Sequence, residues 1–123
     1  MPSKIQSLRQ KAFQLQCGRC WYCGVQMWRE SPSELPNVNE RSASRLRCTA
    51  EHLVAQRDGG KHEPSNVVAA CAHCNQTRHK RKNPPEPLTY LSNVRKRVSL
   101  GRWHHSWVRE YGLLPATCMS HRV

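Results

Sequence analysis

Residues 71–79 read CAHCNQTRH, which places two cysteines, two histidines and an asparagine close together. Cys71 and Cys74 have the spacing of half a zinc site. Asn75 and His79 are four residues apart, so their side chains project from one face if the segment is helical. The stretch therefore contributes to one metal site, to two, or to a zinc-binding turn with incidental polar residues.

A second pair of cysteines with the same spacing lies upstream, in CGRCWYCG at residues 17–24. Cys20 and Cys23 can combine with Cys71 and Cys74 to hold a tetrahedral structural zinc. Cys17 could replace Cys20 as a zinc ligand. The motifs Cys17-x-x-Cys20 and Cys20-x-x-Cys23 share a residue, so only one of them can supply the upstream ligand pair. Such a zinc contributes on the order of 10 kcal/mol to folding, and we expect it to clip the two segments together.

The segments around the downstream pair predict a strand, a loop, a second strand and a helix. RLRCTAEHLV (45–54) is typical of a strand, and the Gly-Gly pair and proline of AQRDGGKHEPSN (55–66) predict a loop. NVVAA (66–70) is a short β-branched run. Nothing interrupts a helix over 74–82 until NPPEP (83–87) ends it. The sequence therefore predicts a ββα unit.

Helices are predicted on both sides of this unit, so the fold class is α+β. The N-terminal helix is amphipathic, and Ser3 with Gln6 forms a capping box. Two helical stretches, 88–99 and 102–111, follow the unit. The predicted boundaries are 1–123 for a single domain, 17–83 for its core, about 4–16 for the N-terminal helix and about 87–112 for the C-terminal helical extension.

The composition indicates a polyanionic partner. The chain has 123 residues, a net charge of +12 and only 37% hydrophobic residues, so its core is small and nucleic acid is the expected partner. No apolar run is long enough to span a membrane, and the N-terminus lacks a signal-peptide core. We therefore expect an intracellular, cytoplasmic protein with reduced cysteines, in which Cys48 is a buried thiol and Cys118 a tail thiol.

Five further polar residues in and around the ββα unit can do chemistry. Glu51, Asn75 and His79 offer carboxylate, amide and imidazole ligands to one divalent ion, which suits Mg²⁺ or Mn²⁺ and also admits Zn²⁺ or Ni²⁺. His52 would stand beside that ion as a general base. Asn66 could bond across the loop and hold the backbone at His52. Together these residue types suit phosphodiester hydrolysis.

At these residues the sequence resembles the HNH endonucleases, which have a ββα-metal fold. AEHLVAQRDGG, NVVAA and CAHCN match the family's motif in order and spacing, and CWYCG matches the knuckle of its zinc-bearing branch. The resemblance implies Glu51 as metal ligand, His52 as base, Asn66 as structural anchor and Asn75 as metal ligand. His79 resembles the additional histidine ligand of colicin-type nucleases. Two positions depart from the commoner pattern, since Glu51 replaces Asp and Asn75 replaces His.

The resemblance and the charge give two functional hypotheses. The first is a metal-dependent endonuclease that hydrolyses DNA, whose small size suggests a phage, prophage or mobile-element enzyme. The alternative is a non-catalytic, zinc-containing nucleic-acid-binding module, and RNA is a weaker candidate substrate. The remaining histidines, at positions 62, 73, 104, 105 and 121, are expected to be non-catalytic. The residues expected to contact phosphate are Arg78, Lys80, Arg81, Lys82, Arg95, Lys96 and Arg97.

Overall fold

A two-stranded antiparallel sheet followed directly by a helix forms the centre of the fold, in a computed structural model that describes residues 2–115. Strand β1 pairs with β2 so that Cys48 lies opposite Cys71 and Glu51 opposite Val68. The predicted ββα unit is thus confirmed. The elements are α1 (Lys4–Leu15), α2 (Glu40–Ala43), β1 (Cys48–His52), β2 (Val67–Cys71), α3 (Ala72–His79), α4 (Pro87–Ser99) and α5 (Ser106–Glu110).

The first strand and the central helix differ from their predicted limits. β1 is shorter than the predicted strand at 45–54, because Ser44–Leu46 forms a 3-10 turn before it. Helix α3 begins two residues before Cys74, because Cys71 acts as its N-cap and the Cys71 Sγ accepts the Cys74 N–H at 3.4 Å. The second CxxC pair therefore spans the junction between strand and helix.

The flanking helices pack around this unit. The capping box at Ser3 and Gln6 is present, and α1 lies against both strands. Just after α1, the Gln16 side-chain amide bonds the backbone oxygen and nitrogen of Ala69 at 2.8 and 2.9 Å. These contacts fix the N-terminal helix on the sheet.

The second C-terminal helix is shorter than the predicted stretch at 102–111, since α5 covers only Ser106–Glu110. The residues before it, Trp103 and His104, turn toward the cysteines instead of entering a helix. The core joins apolar side chains from every part of the fold, and its largest fully buried members include Tyr22, Val25, Met27, Leu46, Val94 and Val108.

The α+β fold class with flanking helices is confirmed. Within residues 2–115, none of the helices combines the length and apolar character needed to cross a membrane. Cys118 and His121 lie outside the described residues, so the expectations for them stay predictions.

Candidate functional site

Four cysteines meet in the interior and form what we call the four-cysteine cluster: Cys20, Cys23, Cys71 and Cys74. All four are buried, and their sulfur atoms lie within 4.8 Å of one another. The Cys23 and Cys71 sulfurs are 3.9 Å apart. Sulfurs at the corners of a tetrahedron with Zn–S bonds of about 2.3 Å are separated by about 3.8 Å. The donor set and its spacing therefore fit a structural zinc.

Backbone and electrostatics of the four-cysteine cluster also suit a cation. The Cys71 N–H donates to the Cys20 sulfur at 3.3 Å, and the Cys74 N–H donates to the Cys71 sulfur at 3.4 Å. Burial raises the pKa of the Cys23 and Cys74 thiols well above the ordinary value, whereas at Cys20 burial is outweighed by hydrogen bonds with the other three cysteines, which hold the pKa well below it. A buried set of thiolates consequently needs a positive charge at its centre. Cys17 is exposed and lies outside the cluster.

The C-terminal extension covers the four-cysteine cluster, a contact that sequence patterns did not predict. The Trp103 indole N–H donates to the Cys74 sulfur at 3.3 Å, and the His104 Nε2 lies 3.1 Å from the Cys23 sulfur. Burial and the neighbouring His73 lower the pKa of His104 to about 4, so its ring is neutral near pH 7. The expectation that His104 is non-catalytic is compatible with this supporting position.

Glu51 is the centre of a second polar cluster, which we call the Glu51 site. Its side chain is buried although it carries a carboxylate, with a residue exposure of 3%. The Tyr22 hydroxyl donates to Oε2 at 3.1 Å, and the Arg78 guanidinium donates to the same oxygen at 3.2 Å. The other oxygen, Oε1, lies 3.0 Å from the His79 Nε2. One oxygen is thus held by the protein and the other faces an imidazole.

Helix α3 brings the predicted ligands to one face of β1. Arg78 and His79 follow Asn75 by three and four residues on the helix, and Thr49 and Glu51, two residues apart, lie on the same face of the strand. The Asn75 Nδ2 donates to the Thr49 hydroxyl at 3.0 Å and to the Ala50 carbonyl at 3.2 Å. Because a carbonyl can only accept, the amide nitrogen belongs there and the Asn75 Oδ1 is left for another partner.

The side chains of the Glu51 site could hold a hard divalent ion. Neighbouring ligands at about 2.1 Å from an octahedral ion are separated by about 3.0 Å. The Oε1 of Glu51 and Nε2 of His79 have this separation, which is also that of a direct hydrogen bond, and the Arg78 Nη1 lies 3.2 Å from the same His79 nitrogen. The His79 side chain is 46% exposed, so solvent and a substrate can reach the pair from outside. The four-cysteine cluster, by comparison, has no such opening at its ligands.

Within the described residues, no hydrogen bond joins the side chains of His52 and Glu51, and His52 faces the loop after β1. Adjacent strand residues point to opposite faces, and the His52 Nε2 lies 2.9 Å from the Nδ1 of His62. Burial, followed by the neighbouring His62, lowers the pKa of His52 below its ordinary value. Its imidazole is therefore neutral near pH 7, which is the form that accepts a proton.

Asn66 ties the two ends of that loop together. Its Oδ1 accepts the Val54 N–H at 2.7 Å, and its Nδ2 donates to the carbonyls of Val54 and Lys61 at 3.0 Å each. The contacts reach the backbone two residues beyond His52, and the Asn66 carbonyl accepts the Leu53 N–H at 2.9 Å. His52 is thereby flanked by fixed backbone.

The residues expected to contact phosphate divide into two groups. Arg78 is buried against Glu51 and also donates to the Pro85 carbonyl, while Arg95 donates to the Tyr22 and Trp21 carbonyls. These two arginines therefore stabilise the fold. The members with exposed side chains are Lys80, Arg81, Lys82, Lys96 and Arg97.

Two basic grooves meet at Arg81. The first, which we call the loop groove, has a volume of about 630 Å³ and is lined by Arg57, Arg78, His79, Arg81 and Lys82, with Asp58 and Glu86 as its acidic members. The second, the α4 groove, has a volume of about 610 Å³ and is lined by Arg81, Lys96, Arg97 and Arg102. A polyanion lying in one groove can therefore continue into the other.

Comparison with known proteins gives one family. The family model of the HNH endonucleases matches residues 37–81, which include Glu51, His52, Asn66, Asn75 and His79. Neither a curated protein nor a solved structure matches the chain. The matched segment holds the second cysteine pair of the four-cysteine cluster but not the first. The resemblance is therefore confirmed, and residues 37–81 of this chain match an HNH endonuclease domain.

Proposed function

We propose that the protein is a metal-dependent HNH endonuclease that hydrolyses DNA phosphodiester bonds. The observation that carries the proposal is the state of Glu51: a buried carboxylate with one oxygen held by Tyr22 and Arg78 and the other facing His79. Burying a carboxylate is costly unless it is paired or binds metal. Its place in the matched HNH segment favours metal binding as its function.

Three residues would hold the catalytic ion in this proposal. Glu51 supplies Oε1, His79 supplies Nε2 and Asn75 supplies the Oδ1 that its bonds to Thr49 and Ala50 leave over. A divalent ion bound there would offset the negative charge on a phosphate oxygen and on the departing 3′ oxygen. Tyr22 and Arg78 keep the Glu51 carboxylate in a single orientation, as partners of metal ligands commonly do.

His52 is the general base of the proposed reaction. It removes a proton from the attacking water, the water oxygen forms a bond to phosphorus, and the bond from phosphorus to the 3′ oxygen breaks. The lowered pKa of His52 keeps its imidazole unprotonated near pH 7. A positioned base of this kind contributes about 10² to 10⁴-fold to the rate.

The two basic grooves support a nucleic-acid substrate. The loop groove includes His79 of the Glu51 site, and the α4 groove, lined by Lys96, Arg97 and Arg102, shares Arg81 with it. Lysine and arginine contacts to phosphate provide affinity without reading sequence. A substrate whose scissile phosphate lies at His79 would therefore run past Arg81 into the α4 groove.

The alternative is a zinc-containing nucleic-acid-binding module without activity. One observation favours it: the contacts of Glu51 with Arg78 and Tyr22 would also satisfy a carboxylate with a purely structural role. Such a module would keep the four-cysteine cluster and the grooves and would have no use for a base at His52.

A nicking assay separates the two functions. Zinc-loaded protein is incubated with supercoiled plasmid in the presence of Mg²⁺, Mn²⁺, Ni²⁺ or EDTA, and His52→Ala is tested in parallel. We expect nicking that needs an added ion and that falls about 10² to 10⁴-fold in His52→Ala, with DNA affinity retained. DNA binding without nicking in the presence of any ion would support the binding module. Cleavage of RNA but not of DNA would show that the substrate is RNA.

A further inference from the structure

Three side chains, one from the end of β1 and two from the loop that follows it, form a hydrogen-bonded row. The His52 Nε2 lies 2.9 Å from the His62 Nδ1, with the ring centroids 5.0 Å apart. The other nitrogen of His62, Nε2, lies 3.4 Å from the Gln56 side-chain nitrogen, Nε2. Among the residues that the structure describes, none makes a hydrogen bond to the His52 Nδ1. One nitrogen of the base is therefore held and the other is open.

We propose that His62 is a positioning residue that fixes the tautomer of His52 and thereby selects Nδ1 as the atom that accepts the proton from water. This inference rests on the proposed function. The tautomer of a neutral histidine is set by the hydrogen bond that its other nitrogen makes. With His62 accepting at Nδ1, His52 carries its proton on Nε2 and presents a bare Nδ1.

The arrangement is consistent through all three side chains once the Gln56 amide is turned by 180°, which brings its oxygen to His62. If His62 accepts at Nδ1, its own proton lies on Nε2, where the Gln56 amide oxygen can accept it. The assignment of the Gln56 oxygen and nitrogen is interchangeable at this contact. When the His52 Nδ1 takes the water proton, its Nε2–H still has the His62 acceptor, so the cation that forms keeps its partner.

The loop is built to hold His62 in this place. Asn66 bonds the Lys61 carbonyl next to His62, as well as both backbone groups of Val54. Gly60 donates its N–H to the Ala55 carbonyl at 2.9 Å, and a Cβ at Gly60 would lie 1.7 Å from the Val54 oxygen. Only glycine fits this close approach. His62 thus follows a closed and pinned turn.

Paired substitutions at His62 test the role of its acceptor. Asn places a side-chain atom near the position of the His Nδ1 and can accept there, whereas Leu has nearly the shape of Asn without an acceptor. We expect His62→Leu to lower the single-turnover nicking rate about tenfold or more, which corresponds to about 1.4 kcal/mol per factor of ten, and His62→Asn to restore most of it. The exposed His105→Leu serves as the control. Equal rates for His62→Leu and His62→Asn would overturn the proposal.

Nitrogen-15 NMR of the imidazoles tests the tautomer without any need for cleavage. Spectra of zinc-loaded protein at mildly alkaline pH are compared with those of His52→Gln, which identifies the His52 signals. We expect a protonated Nε2 and a bare Nδ1 on His52 in wild type, and a mixture of tautomers in His62→Leu. A bare Nε2 in wild type, or an unchanged spectrum in His62→Leu, would contradict the inference. The expected spectrum in a protein that does not nick would instead count against the endonuclease function alone.

Discussion

The four-cysteine cluster and the Glu51 site lie on the same ββα unit but differ in nearly every physical respect. The first has four soft sulfur donors, all buried, and Trp103 and His104 of the C-terminal extension close it. The second has oxygen and nitrogen donors, one of which, His79, is about half exposed. Closed sites suit structural zinc, and sites with an open position suit catalysis. Burial and donor chemistry therefore suit the first site to a structural zinc and the second to the catalytic ion that we propose.

Tyr22 links the two regions. It lies between Cys20 and Cys23, and its hydroxyl reaches the Oε2 of Glu51 at 3.1 Å. Its ring packs edge-on against Tyr90, whose hydroxyl donates to the Cys74 carbonyl at 2.7 Å. Folding of the knuckle around a zinc would therefore also set the position of the Glu51 carboxylate.

The largest expected effect comes from removing one ligand of the four-cysteine cluster. Cys71→Ser should lose zinc and fold together, because a structural zinc contributes on the order of 10 kcal/mol. Zinc content by mass spectrometry under native conditions and thermal unfolding measure both. The exposed Cys17→Ser is the matched control and should behave as wild type. A Cys71→Ser protein that keeps one zinc and the wild-type melting temperature would show that the fold does not depend on this cluster.

Substitutions of Glu51 should remove cleavage but leave the zinc. In Glu51→Ala the buried Arg78 loses its partner, which should cost about 3 to 5 kcal/mol of unfolding free energy. Glu51→Gln should cost less, because its amide oxygen can still accept from Tyr22 and Arg78. Melting temperatures should therefore fall in the order wild type, Gln, Ala. Nicking by Glu51→Gln at the wild-type rate would show that the carboxylate is structural.

Tyr22→Phe should weaken the Glu51 site while the four-cysteine cluster keeps its metal. Loss of a partner of a metal ligand typically lowers metal affinity or activity about 10 to 100-fold. Tyr90→Phe is a matched control, because it also deletes a buried tyrosine hydroxyl but one that bonds a backbone carbonyl. The nicking rate and the zinc content are measured for both variants. Equal rates in Tyr22→Phe and Tyr90→Phe would contradict the link.

The smallest expected effect concerns the α4 groove. Replacing Lys96, Arg97 and Arg102 with Gln should reduce the slope of log affinity against log salt by about 2 to 3, because each neutralised phosphate contributes about 0.9 to that slope. Fluorescence anisotropy of a DNA duplex with zinc-loaded protein and no added Mg²⁺, Mn²⁺ or Ni²⁺ measures this without cleavage. A control variant has Gln in place of Lys4, Lys11 and Arg41, which line neither groove. It loses the same charge, and its salt slope should fall less than that of the groove variant. Equal slopes in the two triple variants would exclude the groove as the path of the DNA.

Much of this arrangement was predictable because it depends on local spacing. The CxxC pairs fix the four-cysteine cluster, and the four-residue interval of Asn75 and His79 places both on the β1 side of α3. The overlapping CxxC motifs left open whether Cys17 or Cys20 belongs to the zinc site. The burial of Cys20 and the exposure of Cys17 favour Cys20.

The supporting contacts were not predictable because they join residues that are distant in sequence. His104 lies 81 residues from Cys23, and Arg78 lies 27 residues from Glu51. Arg78 stands in a basic run, where a phosphate contact was the natural expectation, and only the packing of α3 shows that it turns inward. The pairing of His52 with His62 depends on the fold of a loop, for which the sequence has no periodic signal.

The central claim is that the protein holds two ions with different functions, and Mn²⁺ binding tests it most directly. Mn²⁺ is titrated into zinc-loaded protein and followed by electron paramagnetic resonance, with plasmid nicking measured on the same samples. We predict one Mn²⁺ bound beside a retained zinc, nicking that follows Mn²⁺ occupancy, weaker binding in His79→Ala and none at this site in Glu51→Gln. Full nicking before any Mn²⁺ binds, or Mn²⁺ binding that is unchanged in Glu51→Gln, would contradict the claim.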